Sequence, residues 1–262
     1  MAKKQGTGVV IGEKDIKIIE YLSCGCATFL DLLGHLKKSY KQGQNINHEL
    51  ILRKRLSQLL GAGYIESQIY HVRGSSARQA LYILSEPARH MLIESGWHYQ
   101  KIRGILPNNF TIAHELAVTA IVRAIKKESK RSQYDYRLHD ENSLKKVSGG
   151  SNKGEFYPDL LVKVMLTISG EQKDKYYYIE YDNGTIPTRD ILKKSIKMNS
   201  INIFFICATT ERMDKLRAGV MNAPVKEKLI KKVFFGLLED ICSMGIYGAK
   251  FQAADGKPVG LL

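Results

Sequence analysis

Residues Phe156 to Asp182 read FYPDLLVKVMLTISGEQKDKYYYIEYD, and the organisation of the chain turns on this stretch. It holds two strand-like runs, Leu160 to Ile168 and Lys175 to Tyr181, separated by Ser169-Gly170-Glu171. Asp159 heads the first run behind Pro158, and Glu180 and Asp182 close the second. Side chains two apart on a strand share a face, so Glu180 and Asp182 project together, along with Tyr176 and Tyr178. If the runs form a hairpin, Asp159 begins one strand where the other ends, and the carboxylates converge on one edge. Like charges at short range raise each other's pKa. A hard divalent ion such as Mg²⁺ or Mn²⁺, which takes carboxylate oxygens as ligands, relieves that repulsion. The competing reading is that these acids only mark strand ends.

Composition narrows the setting. At 262 residues and 44% hydrophobic, the chain can build one large or two modest domains. No apolar run approaches the roughly 20 residues of a membrane span. The start, MAKKQGTGVV, lacks the apolar core of a signal peptide. Cys24, Cys26, Cys207 and Cys242 have no metal-knuckle spacing and read as reduced thiols of a cytoplasmic protein. A net charge of +14 points to a polyanion partner, nucleic acid before membrane.

Upstream, residues 1–12 read as a polar arm. Lys14 to Leu22 and Ala27 to Leu36 suit two amphipathic helices. After the loop KSYKQGQNIN, Asn47 can cap a third helix with a stripe of Leu52, Leu56, Leu59 and Leu60, ended by Gly61 and Gly63. Strand-like Tyr64 to Val72 and Gln79 to Leu84 follow, joined by a basic tip. Three helices and such a hairpin are the layout of a winged helix-turn-helix, whose third helix enters the DNA major groove. Off the leucine stripe that helix carries Arg53, Lys54, Arg55 and Gln58, and the tip offers Arg73 and Arg78 for the backbone. A winged helix used only for protein contact is the alternative. A helix from Ser85 or Glu86 ends before Gly96, and Trp97 to Asn109 reads as linker. The expected domains are therefore 1–104 and 105–262.

The second domain opens with a helix from Thr111 to Glu128 bearing His114 and Glu115 in its first turn. A strand from Tyr134 to His139 and a flexible basic loop, ENSLKKVSGGSNKGE, precede the central hairpin. A helix from Thr188 to Met198 then carries Lys193, Lys194 and Lys197, and Ile201 to Ala208 is a continuous apolar run typical of a buried strand. Helices are expected over 211–220 and 225–243, and the tail is uninformative.

The order helix, strand, strand, strand, helix, strand, with D…ExD on the strands, resembles the PD-(D/E)xK nuclease fold. The resemblance implies an α+β chain: a winged helix followed by a restriction-endonuclease-like α/β domain with a mixed central sheet. It assigns Asp159 to the PD aspartate, Glu180 to the D/E position and Glu115 to the acid of the first helix. The third position departs, because Asp182 stands where the lysine belongs. Either Asp182 adds a ligand or the lysine has moved to Lys193 or Lys194. Taken with the winged helix, His114-Glu115-Leu116, YPDLL and YYIEYDNGT are similar to the replication-relaxation family and the MOBC-class mobilisation relaxases, over residues 14–210. That resemblance implies recognition of a plasmid or mobile-element origin in double-stranded DNA, Mg²⁺- or Mn²⁺-dependent nicking to a single-stranded product, and partners among other mobilisation or replication proteins. Tyr157, Tyr176, Tyr178 and Tyr181 border the expected site, but strand aromatics are usually core. The other reading is a DNA-binding regulator or replication accessory protein with a degenerate nuclease fold.

Overall fold

The computed structural model describes residues 9–39, 47–71, 76–94, 111–129, 135–147, 157–168, 171–198 and 201–260. The chain divides into two compact units, Met1–Thr119 and Ala120–Leu262. The boundary expected near residue 105 lies outside the described residues, as do the tip arginine Arg73 and the turn at 169–170.

The first unit contains α1 (Glu13–Leu22), β1 (Ala27–Thr28), α2 (Phe29–Ser39), α3 (His48–Gly61), β2 (Ile65–His71), β3 (Arg78–Leu84) and α4 (Glu86–Glu94). The small sheet has the order β1-β3-β2, all antiparallel, which is the winged-helix arrangement. Local chemistry explains the helix starts. Asp15 accepts the Gly12 amide at 2.8 Å ahead of α1, and Asn47 Oδ1 accepts the Leu50 amide at 3.0 Å ahead of α3. Ile18, Ile19, Leu22, Leu32, Leu52, Leu56 and Leu59 close the core between the helices. Helix α5 (Ile112–Ser129) begins in this unit, where Ile112 and Leu116 pack with Tyr70, Leu81 and Ile83. The division between the units falls within it, after Thr119.

The second unit is a seven-stranded mixed sheet in the order β10-β9-β8-β7-β6-β5-β4. Its elements are β4 (Asp135–Asp140), α6 (Glu141–Val147), β5 (Leu160–Ile168), β6 (Glu171–Asp182), α7 (Thr188–Lys197), β7 (Asn202–Cys207), α8 (Thr210–Met221), α9 (Lys226–Ile230), β8 (Val233–Leu237), α10 (Leu238–Gly248), β9 (Phe251–Ala253) and β10 (Pro258–Val259). Strands β4, β5 and β6 are antiparallel neighbours, while β6, β7 and β8 run parallel. Ile203, Phe205 and Cys207 of β7 pack toward α7 and α8, in one cluster with Ile191, Met213 and Leu216. On the other face Phe204 meets Tyr177, Phe234 and Phe251, with ring centroids 5.0–5.6 Å apart.

Two expectations differ from the structure. The stretch from Glu141 is not loop throughout: α6 forms because buried Asp140 caps it, accepting the Ser143 amide at 2.8 Å, and Lys145 pairs with Glu141 at 2.6 Å. The single helix expected over 225–243 is broken by β8, because VFFGL is an apolar, aromatic-rich run that fills a central position in the sheet. The tail, on which the sequence pattern is silent, supplies β9 and β10 at the sheet edge.

Candidate functional site

Register brings the acids together. Asp140 faces Leu160 across β4 and β5, and Leu160 faces Ile179 across β5 and β6. Glu141, Asp159 and Glu180 each lie one residue beyond these partners, at the same end of three neighbouring strands. Asp159 is buried and its Oδ2 accepts the Tyr181 amide at 2.8 Å, which locks the carboxylate against the end of β6. Glu180 is 7% exposed. From α7, Lys194 places its Nζ 2.5 Å from Glu180 Oε1. That contact is a short, buried ion pair, and Lys194 is the partner of Oε1. Burial pushes the Glu180 carboxyl above the usual range, and the charges of Asp159 and, more weakly, Glu141 push the same way, while Lys194 opposes them.

The candidate residues then sort themselves by geometry. Of the two lysines, Lys194 reaches the acids. Lys193 is 69% exposed, with its nearest carboxylate, Asp190, at 3.9 Å. Asp182 does not join Asp159 and Glu180. Arg212 donates to it from Nε at 2.5 Å and from a terminal nitrogen at 3.3 Å, and the Gly184 amide donates at 3.0 Å. Its oxygens are committed to that pair. Glu115 lies in the first turn of α5, within the first unit. Glu141 was missed by sequence reasoning because it was read into a loop. The visible signal was Asp140 three residues before Ser143, an N-cap spacing that starts a helix at 141.

A divalent ion fits this donor set in its chemistry. Asp159 and Glu180 present hard oxygens, and Mg²⁺ is commonly held by one or two carboxylates with water completing the shell. Among the described residues no group of three His, Cys, Asp or Glu side chains is placed to hold a metal ion.

In the first unit the basic residues of α3 divide as well. Arg53 is 63% exposed, pairs with Glu49 at 2.7 Å and lies 4.6 Å over the Phe29 ring. Lys54 is exposed. Arg55, expected to read bases, instead turns inward to Asp15. Its Nε donates to Oδ1 at 2.6 Å and a terminal nitrogen to Oδ2, and its remaining donors reach Gln58 Oε1 at 2.8 Å and the Val10 carbonyl at 3.2 Å. Gln58 is thereby tied to Arg55 through its carbonyl oxygen. Arg78 is exposed at the start of β3, opposite His71.

No family model matches the chain, and no curated protein matches it. Among solved structures, the crystal structure of Bacillus subtilis PadR in complex with operator DNA is similar at 16% identity, covering 53% of this chain and 80% of that one, with a TM-score of 0.26. A likeness that low decides neither fold nor function for this chain. No described helix is long and apolar enough to cross a membrane.

Proposed function

We propose that the chain binds double-stranded DNA through α3 and the β2–β3 hairpin, and nicks one strand in a divalent-metal-dependent reaction at Asp159, Glu180 and Lys194. We further propose that the reaction takes place at a plasmid or mobile-element origin, in transfer or replication, as the resemblance to origin-nicking relaxases implies. The observation that carries the catalytic part is Glu180. It is a buried acid crowded by a second acid, with one cation, Lys194, 2.5 Å from its Oε1. The element order α5, β4, α6, β5, β6, α7, β7 supports the reading apart from α6, which stands between the first two strands.

Asp159 and Glu180 would hold Mg²⁺ or Mn²⁺, which supplies Lewis-acid polarisation of a phosphate. The chain's own groups contribute charge and position. Lys194 offers an ammonium to phosphoryl oxygens that gain negative charge, a role of a few kcal/mol when the group is held in place. Asp159 is fixed by the Tyr181 amide and does not need to reorganise. Arg53, Lys54 and Arg78 are the exposed cations for phosphate contact.

A supercoiled-plasmid assay with cognate origin DNA, with Mg²⁺ or Mn²⁺ and then EDTA, tests this. Metal-dependent open circles are expected. DNA binding should weaken steeply with salt, each phosphate contact adding about 0.9 to the logarithmic slope. One observation favours the non-catalytic regulator: Lys194 already offsets the charge on Glu180 without a metal. Salt-sensitive binding with no cleavage in any divalent metal would select that reading.

A further inference from the structure

We infer that Arg212 is a positioning residue that aims Lys194 at Glu180, an inference that rests on the nuclease reading above. Arg212 lies in the first turn of α8 and its side chain is 11% exposed. Its guanidinium reaches three points of one segment. It donates to Asp182 at the end of β6, to the Ile186 carbonyl at 2.5 Å in the loop, and to Thr188 Oγ1 at 3.4 Å on the first residue of α7. Lys194 sits on the same helix, nearly two turns further along.

That tether matters because α7 lacks the usual means of fixing its start. Its N-cap is Pro187, which makes no side-chain capping bond. The loop before it turns at Gly184, with φ +85°, whose amide is held by Asp182. A helix rotates about 100° per residue, so a slip of one residue at Thr188 would swing Lys194 away from Glu180. Helix α8 fixes the same end a second time. A methyl group at Gly219 would lie 2.5 Å from Thr188 Cγ2, so the two helices meet there without space to spare.

This accounts for the acid at position 182. Asp182 anchors the arginine that sets α7, and α7 supplies the lysine missing from the third position of the motif. Position 182 thus contributes to the site through Arg212.

Amine acetylation of the full chain, read by mass spectrometry, tests this without activity. In the wild type Lys194, 19% exposed and paired, should react at least tenfold more slowly than Lys193. Arg212→Gln should bring Lys194 close to the Lys193 rate. Lys163, held by Asp174 at 2.6 Å, should not change and controls for general loosening. If Arg212→Gln does not fold, Gly219→Ala, which displaces Thr188, is read in the same way. Unchanged protection of Lys194 overturns the inference.

Nicking rates supply the second arm. Arg212→Gln should slow nicking at least tenfold in the wild-type background and less than twofold in Lys194→Ala. Equal slowing in both would mean that Arg212 acts on the fold alone, which also overturns the inference. If the wild type nicks nothing, the nuclease reading is lost, and the acetylation arm still decides whether Arg212 positions Lys194.

Discussion

Two buried acids, one in each unit, are partnered by a long basic side chain, and they differ in what is left over. Asp15 is 1% exposed and accepts the Gly12 amide and two donors of Arg55, Nε and a terminal nitrogen, while the guanidinium also reaches Gln58 and the Val10 carbonyl. Charge and hydrogen bonding are both satisfied. Glu180 has one lysine contact and two further carboxylates whose charge it feels. A satisfied pair holds structure together. A crowded, under-satisfied acid gains from an added cation, and that is the physical content of the proposed site. Asp182 with Arg212 belongs to the first kind, although it lies two residues from Glu180.

The largest effect should come from breaking the satisfied pair. Arg55→Ala strands a buried carboxylate and should cost about 3 kcal/mol, the low end of what removing one partner of a buried ion pair costs. Urea denaturation measures it. If Arg55 were instead a base-reading residue, the substitution would weaken DNA binding with stability unchanged, and Asp15 would be the wrong standard for Glu180.

Next comes the lysine. Lys194→Ala should slow nicking at least tenfold, about 1.4 kcal/mol in the barrier, with DNA affinity unchanged. Lys193→Ala should change the rate less than twofold. A reversed order would place the active cation on the exposed side of α7 and dissolve the contrast.

Much of this was legible in the sequence. The stripe Leu52, Leu56, Leu59 and Leu60 with an Asn cap marks α3, and alternating Tyr176 and Tyr178 with the continuous run 201–208 mark β6 and β7. Strand parity joins Glu180 to Asp182 and an expected hairpin adds Asp159; in the structure Asp159 and Glu180 each lie one residue beyond the Leu160–Ile179 pair, while Asp182 pairs with Arg212. What was not legible depends on partners far along the chain. Arg55 looks like a groove reader until Asp15, 40 residues away, takes its donors. Asp182 looks like a ligand until Arg212, 30 residues on, claims it. VFFGL reads as helix if its neighbours set the period, and as strand only once β7 and β9 flank it.

A smaller effect separates the two acids by pH. Glu180 keeps its folded-state carboxyl above the ordinary value of 4.5, mainly through burial and Asp159. The native chain therefore holds a proton that the unfolded chain has released. Stability contributed there is complete below the ordinary value and falls as pH rises toward the raised one. Glu180→Gln should remove that slope in metal-free buffer and leave stability within about 1 kcal/mol of wild type, because a neutral side chain avoids the burial cost of an ionised one. A loss as large as that of Arg55→Ala would show Glu180 to be a satisfied structural pair after all.

The smallest effect is chemical and tests whether Asp182 belongs with the satisfied pairs. Cys207 lies opposite Asp182 on the β6–β7 ladder and is fully buried. Burial, and then the charge of Asp182, push its thiol up to about 12 from an ordinary 9.0, with Arg212 opposing. Thiol reagents attack through the thiolate. At pH 8 the Cys207 thiolate is about a thousandfold scarcer than for an ordinary thiol, since each pKa unit is a factor of ten. Cys242 is exposed, while Cys24 and Cys26 are buried, so the native chain should show one rapidly labelled thiol. Labelling of Cys207 in the wild type should wait for global unfolding. In Arg212→Gln it should run ahead of global unfolding, because the pair that seals this end of β6 opens locally. Wild-type Cys207 reacting as fast as Cys242 would mean that the Asp182–Arg212 pair is not closed, and the division between satisfied and under-satisfied acids would not hold at position 182.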